Sequence, residues 1–236
     1  MEGTAVSSRP MRRSGQAHRY SSARGLAVFW LVIAASIGLL CEASNAQPLP
    51  ASRQPALAEQ RVLIVYLSRT HNTRAVAEFI HARMGGTLVA LELAKPYPTD
   101  YNATVRQVAR ENETGYLPTL KTKIDRIDQY DVVFLGFPTW GMQLPPPIRS
   151  FLRENNLEGK MVVPFNTNAG YGVGSSFQTV KELCPGSTVL DGYTTRGGIE
   201  RDGEYLAIKG ARAAAVQREV DGWLTEIKAT LTRRSP

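Results

Sequence analysis

Short apolar runs alternate with longer amphipathic stretches from residue 61 to the end of the chain. Five such runs, rich in Val, Ile, Leu and Phe, predict strands at 61–67, 87–93, 131–137, 160–165 and 188–192. The stretches that follow them predict helices at 73–84, 100–114, 146–154, 175–183 and about 206–231. Because each strand is followed by a helix, the pattern predicts one α/β domain, 61–236, with a doubly wound five-stranded parallel sheet and helices on both faces.

The order of the strands decides where such a sheet can bind a ligand. We expect the order 2-1-3-4-5, one of the two common ways to wind this kind of sheet, which leaves a crevice beyond the carboxyl ends of strands one and three. Three loops fall on that edge, at 68–73, 138–144 and 166–174. Topology alone therefore brings these loops together, whatever their sequence.

The first loop has the composition of a phosphate site. It joins a buried strand to a helix, and the first N–H groups of a helix lack partners within it and favour an anion. Short side-chain donors surround the same point, in the run Ser68, Arg69, Thr70, His71, Asn72 and Thr73. Taken alone, the run fits equally well an N-capped turn that binds no ligand, since Ser, Thr and Asn are the usual caps.

The sequence pattern of this loop, Ser-x-Thr-x-Asn-Thr after the first strand, resembles the phosphate loop of the flavodoxin family. The resemblance covers 61 to about 198, is that of the short-chain members, and implies a flavodoxin-like fold that binds FMN. One position departs from the family, which has Gly where this chain has His71. His is among the residues that better tolerate positive φ, so we expect the turn to accommodate it.

The other two loops supply candidates for the flavin ring. Trp140, flanked by Pro138, Thr139 and Gly141, offers a flat face for stacking, and the resemblance implies that the Gly141 peptide lies near the flavin N5. In the third loop, the glycines let the backbone approach a planar ring, Tyr171 could cover its other face, and exposed amides could bind its polar edge. These candidates are Thr167, Asn168, Gly170, Tyr171 and Gly172. The alternatives are a Trp140 that only packs against the next helix and a third loop that is merely exposed.

The first 46 residues predict a secretory signal peptide. Arginines precede a mostly apolar stretch at 26–40, which is shorter than the roughly 20 residues that span a bilayer. Small residues at 44–46 then fit a cleavage site. We therefore expect an exported protein, periplasmic or secreted, with an uncleaved N-terminal membrane anchor as the alternative. Residues 47–60, rich in Pro, Ala and Gln, predict a flexible tether.

Charge and cysteine content exclude several partners. The formal net charge is +7, but the basic residues are scattered and do not interleave with aromatics, so we expect no nucleic-acid partner. Cys184 is the single cysteine beyond the leader, and no spacing typical of metal ligands is present, so we expect neither an internal disulfide nor a metal.

The expected function is that of an FMN-binding oxidoreductase or electron-transfer protein. Residues 138–151 and 166–177 contain no Asp or Glu, so the reduced flavin should be less destabilised than in an acidic shuttle. This favours slightly a quinone- or NAD(P)H-type reductase, whose redox donor and acceptor (protein, quinone or nicotinamide) the sequence does not identify. The alternatives are a pure electron carrier and, because of His71, an interaction module that has lost the cofactor.

Overall fold

The computed structural model describes residues 61–234, so the predicted signal peptide and tether lie outside the described part. Its strands are β1 (Val62–Tyr66), β2 (Thr87–Ala90), β3 (Val132–Pro138), β4 (Met161–Asn168), β5 (Thr188–Val189) and β6 (Tyr193–Arg196). Its α-helices are α1 (Asn72–Met84), α2 (Tyr101–Thr114), α3 (Pro146–Glu154), α4 (Ser176–Leu183) and α5 (Gly210–Arg234). The strands pair in parallel in the order β2-β1-β3-β4-β5, which confirms the expected 2-1-3-4-5 sheet.

Helices cover both faces of the sheet, as the near-continuous apolar runs of the central strands require. Successive side chains of β1 and β3 point to opposite faces, and both strands are buried along almost their whole length. Ile64 and Phe134 pack with the apolar stripes of α1 and α5. Leu63 and Leu135 pack on the other side with α3 and α4. The doubly wound architecture is therefore confirmed.

The fifth position of the sheet is built differently from the single strand predicted at 188–192. Two short strands, β5 and β6, both pair with β4, and the register slips by one residue between them: Met161 lies opposite Thr188, but Phe165 lies opposite Tyr193. Gly192 lies at the break, where a Cβ would meet the ring of Phe177 and the backbone of β4. The break carries the chain onward along β4 to its carboxyl end.

Three element boundaries also differ from the sequence prediction. The fourth strand extends to Asn168, so Thr167 and Asn168 lie in β4 rather than in a loop. The second strand ends at Ala90, after which Leu93 forms an isolated antiparallel bridge with Leu120. The last helix begins at Gly210, which leaves residues 197–209 as a connector that returns across the edge of the sheet where β1 ends. Among the described residues, no helix is long and apolar enough to cross a membrane.

We expect Cys184 to react slowly with thiol reagents in the folded protein. Its side chain is buried, and burial raises the pKa of the thiol to about 11, so roughly one molecule in a thousand carries the reactive thiolate at pH 8. The measurement is the labelling rate of a Cys41→Ser chain, in which Cys184 is the single thiol, with and without urea. Equal rates in the two conditions would contradict the buried position.

Candidate functional site

A cleft of about 390 Å³ opens at the carboxyl ends of β1, β3 and β4. It brings together twelve of the fifteen residues predicted from sequence to hold the cofactor. These are Arg69, Thr70, Asn72, Thr73, Pro138, Thr139, Trp140, Gly141, Thr167, Asn168, Tyr171 and Gly172. The remaining three, Ser68, His71 and Gly170, belong to the same loops but do not line the cleft. The three loops therefore converge on one site.

The loop between β1 and α1 presents a row of free backbone donors. The N–H groups of residues 69–73 have no acceptor among the residues that the structure describes. They surround the first turn of α1, where the helix dipole adds a partial positive charge. Ser68 stabilises the loop by a hydrogen bond to α1, in which its Oγ accepts the N–H of Arg74 at 3.2 Å. This arrangement suits a phosphate group.

His71 adopts the left-handed backbone conformation that this turn needs. It occupies the N-cap position of α1 with φ 64° and ψ 0°, and its side chain makes no capping hydrogen bond. A residue with a Cβ is strained there, although His is less penalised than most. The turn thus accommodates His71 at the position where the family pattern has Gly.

We expect His71→Gly to raise the free energy of unfolding by about 1 kcal/mol, because glycine relieves the left-handed strain. The control is His81→Gly in the last turn of α1, where the same change should cost up to about 1 kcal/mol since glycine is a poor helix former. Urea unfolding of both variants measures the difference. A loss of stability in His71→Gly would show that the imidazole itself supports the turn.

Arg69 lies at the cleft, but its charge is paired. The Nε atom donates to both carboxylate oxygens of Glu200, at 2.7 and 2.9 Å, and both side chains are largely buried. The two terminal nitrogens donate to the carbonyl oxygens of Pro98 and Thr99. Arg69 therefore ties the connector after β6 and the segment before α2 to the phosphate loop, and its guanidinium is not a free cation.

The Asn72 side chain is also fully engaged within the protein. Its Oδ1 accepts the N–H groups of Ala207 and Ile208, at 2.9 and 3.1 Å. Its Nδ2 donates to the carbonyl oxygen of Tyr205 at 2.6 Å and to the Thr70 hydroxyl at 2.9 Å. Because these bonds use the amide's donors and acceptor, only the Asn72 backbone N–H is left for a ligand. The side chain fixes the connector against the loop.

Threonines join the phosphate loop to the central strands. The hydroxyls of Thr73 and Thr167 lie 2.8 Å apart, and both residues are buried where α1 starts beside β4. Thr139 donates to the carbonyl oxygen of Gly172 at 3.0 Å, which links the second loop to the third. The cleft floor is therefore held by hydroxyl groups that the sequence prediction had assigned to the ligand.

Trp140 forms one wall of the cleft, and its ring is held in place by a contact with Tyr97. The Tyr97 ring meets it edge-on, with centroids 5.2 Å apart and planes at 88°. The Tyr97 hydroxyl donates to the buried carboxylate of Glu111, and burial together with this bond raises the pKa of Tyr97. Trp140 thus both packs against the protein and keeps a face in the cleft, so the two sequence-based alternatives are not exclusive.

The turn after Trp140 has two consecutive left-handed residues, Gly141 with φ 57° and Met142 with φ 59°. Such a pair is typical of a type I′ turn, and Gln143 closes it by donating to the Trp140 carbonyl at 3.0 Å. The third loop packs directly on this turn, since a Cβ on Gly174 would lie 2.0 Å from the Met142 oxygen. The second and third loops therefore form one unit.

Asn168 shapes the third loop through its own side chain. Its Oδ1 accepts the N–H groups of Gly170 and Gly172, at 2.8 and 3.1 Å. The loop holds Tyr171 at the mouth of the cleft, with 68% of its surface exposed. Tyr171 is placed to cover a bound ring, whereas the Asn168 oxygen is already used.

Two further walls of the cleft were not predicted from the sequence. One is a face of α2, formed by Tyr101, Thr104, Val105, Val108, Ala109 and Asn112 at three- and four-residue steps. The other is the connector segment 197–201, in which Gly198 lies too close to the backbone of Tyr205 for a Cβ and Gly197 lies tightly against Asn72. The three- and four-residue spacing of these α2 residues is visible in the sequence, but the polar residues among them prevented the face from being identified as a binding surface.

The residues present fit a ligand that has an anionic group and an aromatic ring. The free N–H groups of residues 69–73 suit the anion, and the rings of Trp140 and Tyr171 suit the aromatic part. Asn112 is also a lining residue, although its side-chain oxygen Oδ1 is buried within the protein and has no hydrogen-bond partner among the described residues. The charged residues of the lining are Arg69, Glu200 and Arg201, so the cleft is not strongly acidic.

Known proteins share this fold. A family model described as flavodoxin matches residues 61–205. A protein from Bacteroides eggerthii, itself assigned as a flavoprotein by inference, is 29% identical, with a TM-score of 0.58 over 71% of this chain and 98% of its own. A flavoprotein from Lactobacillus acidophilus, crystallised in complex with FMN, is 22% identical, with a TM-score of 0.53 over 61% of this chain and 98% of its own. No curated protein sequence matches the chain.

Proposed function

Because the chain belongs to the flavodoxin family, we propose that it binds FMN in the cleft and transfers electrons through it. The observation that carries the proposal is the row of free backbone N–H groups at residues 69–73, which opens into the same cleft as Trp140 and Tyr171. FMN is the group that the Lactobacillus acidophilus protein holds. When bound, FMN supplies the redox chemistry, and the protein supplies binding and orientation.

Each part of the cleft has a separate task in this proposal. The backbone of residues 69–73 holds the phosphate group. The side chains of Arg69, bound to Glu200, and of Asn72, bound to Tyr205, fix the conformation of that backbone. Trp140 stacks on one face of the flavin ring, and Tyr171 covers the other from the cleft mouth. Pro138 and Gly141 set the direction of the Trp140 loop, and Gly172 lets the third loop approach the ring.

The test is the visible absorption spectrum of the purified protein before and after addition of FMN, with mass identification of any released cofactor. We expect a bound-flavin spectrum and quenching of tryptophan fluorescence. Absence of binding after reconstitution would contradict the proposal and favour the cofactor-free interaction module. In that event, a gain of FMN affinity in His71→Gly would locate the loss in the phosphate turn.

Within this function, a reductase of small acceptors such as quinones is favoured over a pure electron carrier. Two observations support it: the loops that carry Trp140 and Tyr171 contain no carboxylate, and the α2 face adds the apolar Val105 and Val108 to the cleft. A less acidic site destabilises the reduced flavin less. Redox titration, followed by turnover with a quinone and NAD(P)H, tests this. A very low second potential without quinone turnover would instead favour the carrier.

We also propose that the protein acts outside the cytoplasm. The support is the sequence of the leader, in which basic residues precede an apolar stretch and a small-residue cleavage site. The N-terminal sequence of the mature protein from fractionated cells tests it. A start at Gln47 in a soluble fraction is the expected result, whereas an intact leader in the membrane fraction would favour the anchor.

A further inference from the structure

Glycines flank Tyr171, so the third loop alone does not fix where its ring lies. Gly170 and Gly172 have φ angles of 100° and 86°, in a region that glycine enters freely. Tyr171 is 68% exposed, and no aromatic side chain in 61–234 packs on its ring. A side chain of this kind has to be ordered when a ligand binds, which costs affinity. Tyr171 therefore needs a partner outside its own loop.

The connector supplies that partner in Arg201. Both residues line the cleft. The guanidinium of Arg201 lies between the Asp202 carboxylate, at 2.9 Å, and the Tyr171 hydroxyl, and these two groups, Asp202 first, raise the pKa of Arg201. The Arg201–Asp202 pair is solvent-exposed, with side chains 60% and 52% accessible, and such pairs are weak. The guanidinium is therefore able to donate a hydrogen bond to Tyr171 as well.

Arg201 projects from a segment whose backbone is fixed on both sides. The Gly197 N–H donates to the Asn168 carbonyl oxygen at 2.8 Å, which holds the start of the connector against the third loop. Three residues further, Glu200 accepts the hydrogen bonds from Arg69 of the phosphate loop. Because Glu200 is tied down in this way, its neighbour Arg201 reaches the third loop from a defined position.

We propose that Arg201 is a positioning residue, which holds Tyr171 across the mouth of the cleft so that its ring is in place before FMN binds. The inference rests on the proposed binding of FMN. Glu200 and Arg201 are adjacent, so the connector contacts the phosphate loop and the third loop at once and orders both. Ordering one side chain in advance should strengthen binding about three- to tenfold.

The test is a double-mutant cycle on the dissociation constant of FMN. Arg201→Met keeps an unbranched side chain and removes the donor, and Tyr171→Phe keeps the ring and removes the hydroxyl. We expect each change to weaken FMN binding about three- to tenfold, and the double variant to bind no more weakly than the weaker single variant, because both changes break the same contact. Effects that multiply in the double variant would show that the two residues act independently, which overturns the proposal.

Two further variants separate this role from a general effect of charge or stability. Arg201→Lys keeps a cationic donor and should retain most of the affinity. Arg83→Met removes an arginine that is similarly exposed and paired with Asp221 but lies in the last turn of α1, away from the cleft lining, and should bind FMN as the wild type does. Loss of affinity in Arg83→Met equal to that in Arg201→Met would contradict the positioning role.

Inorganic phosphate is the probe that distinguishes Tyr171 from the anion as the target of Arg201. Phosphate should bind Arg201→Met and the wild type alike, since the N–H groups of residues 69–73 hold it. Weaker phosphate binding in Arg201→Met would show that the guanidinium acts on the anion, and would overturn the proposal. Binding of FMN by the wild type with multiplying effects in the cycle would overturn the role of Arg201 alone. Absence of FMN binding by the wild type would overturn the proposed function and this inference with it.

Discussion

Replacing Asn72 with alanine should cost about 3 kcal/mol of the free energy of unfolding. The change removes four hydrogen bonds shorter than 3.2 Å and leaves the N–H groups of Ala207 and Ile208 and the carbonyl oxygen of Tyr205 without their partner. Each orphaned group in a partly buried position costs on the order of 1 kcal/mol. The Asn72 side chain is only 3% exposed, so water cannot readily replace it. Urea unfolding measures the loss.

The same substitution should release the connector before α5. Limited proteolysis should cleave the segment 199–207 faster in Asn72→Ala than in the wild type, because that segment loses its anchor on the phosphate loop. FMN affinity should fall as well, since the backbone of residues 70–73 is then less well ordered. A variant with stability within about 0.5 kcal/mol of the wild type would contradict the anchoring role.

The variant Asn72→Asp tests the donor side of this amide. Aspartate keeps the acceptor for Ala207 and Ile208 but places a carboxylate oxygen against the Tyr205 carbonyl oxygen, which the Asn72 amide approaches to 2.6 Å. Because the residue is 3% exposed, the buried charge and this repulsion should make the stability loss at least as large as in Asn72→Ala. The negative charge beside the first turn of α1 should also repel the phosphate of FMN. A stability equal to that of the wild type would contradict the role of the amide donor.

The sheet and its order could be predicted because they follow from local patterns. Each central strand is an apolar run, and each helix has an apolar stripe, so element type and sequence order are both visible in the chain. The break between β5 and β6 was not visible, because it arises from a one-residue slip in the pairing with β4. A register of this kind depends on residues about 27 positions away and leaves no local signal.

The site was predicted in position but only partly in detail. The loops at 68–73, 138–144 and 166–174 follow from topology, and twelve predicted residues do line the cleft. The roles of Arg69 and Asn72 were not readable, because their partners Glu200 and Tyr205 lie more than 130 positions further along the chain. A polar side chain in a loop has the same sequence signal whether it binds a ligand or another loop.

Replacing Trp140 with alanine should weaken FMN binding by about 10- to 100-fold. The loss of a stacking surface on a planar ring costs on the order of 1–3 kcal/mol. Trp140→Phe keeps a smaller aromatic face and should lose less than tenfold. Stability should fall in Trp140→Ala as well, because Tyr97 loses its edge-on partner, so affinities are compared at a temperature where each variant is folded.

Fluorescence assigns this effect to Trp140 itself. Trp223 packs against Phe134 and Tyr193 on the side of the sheet that carries α5, away from the cleft. Flavin-dependent quenching should therefore persist in Trp223→Phe and be strongly reduced in Trp140→Phe. If quenching and affinity both survive the loss of Trp140, the ring does not stack there. The α2 face with Val105 and Val108 would then be the apolar wall against which the flavin lies.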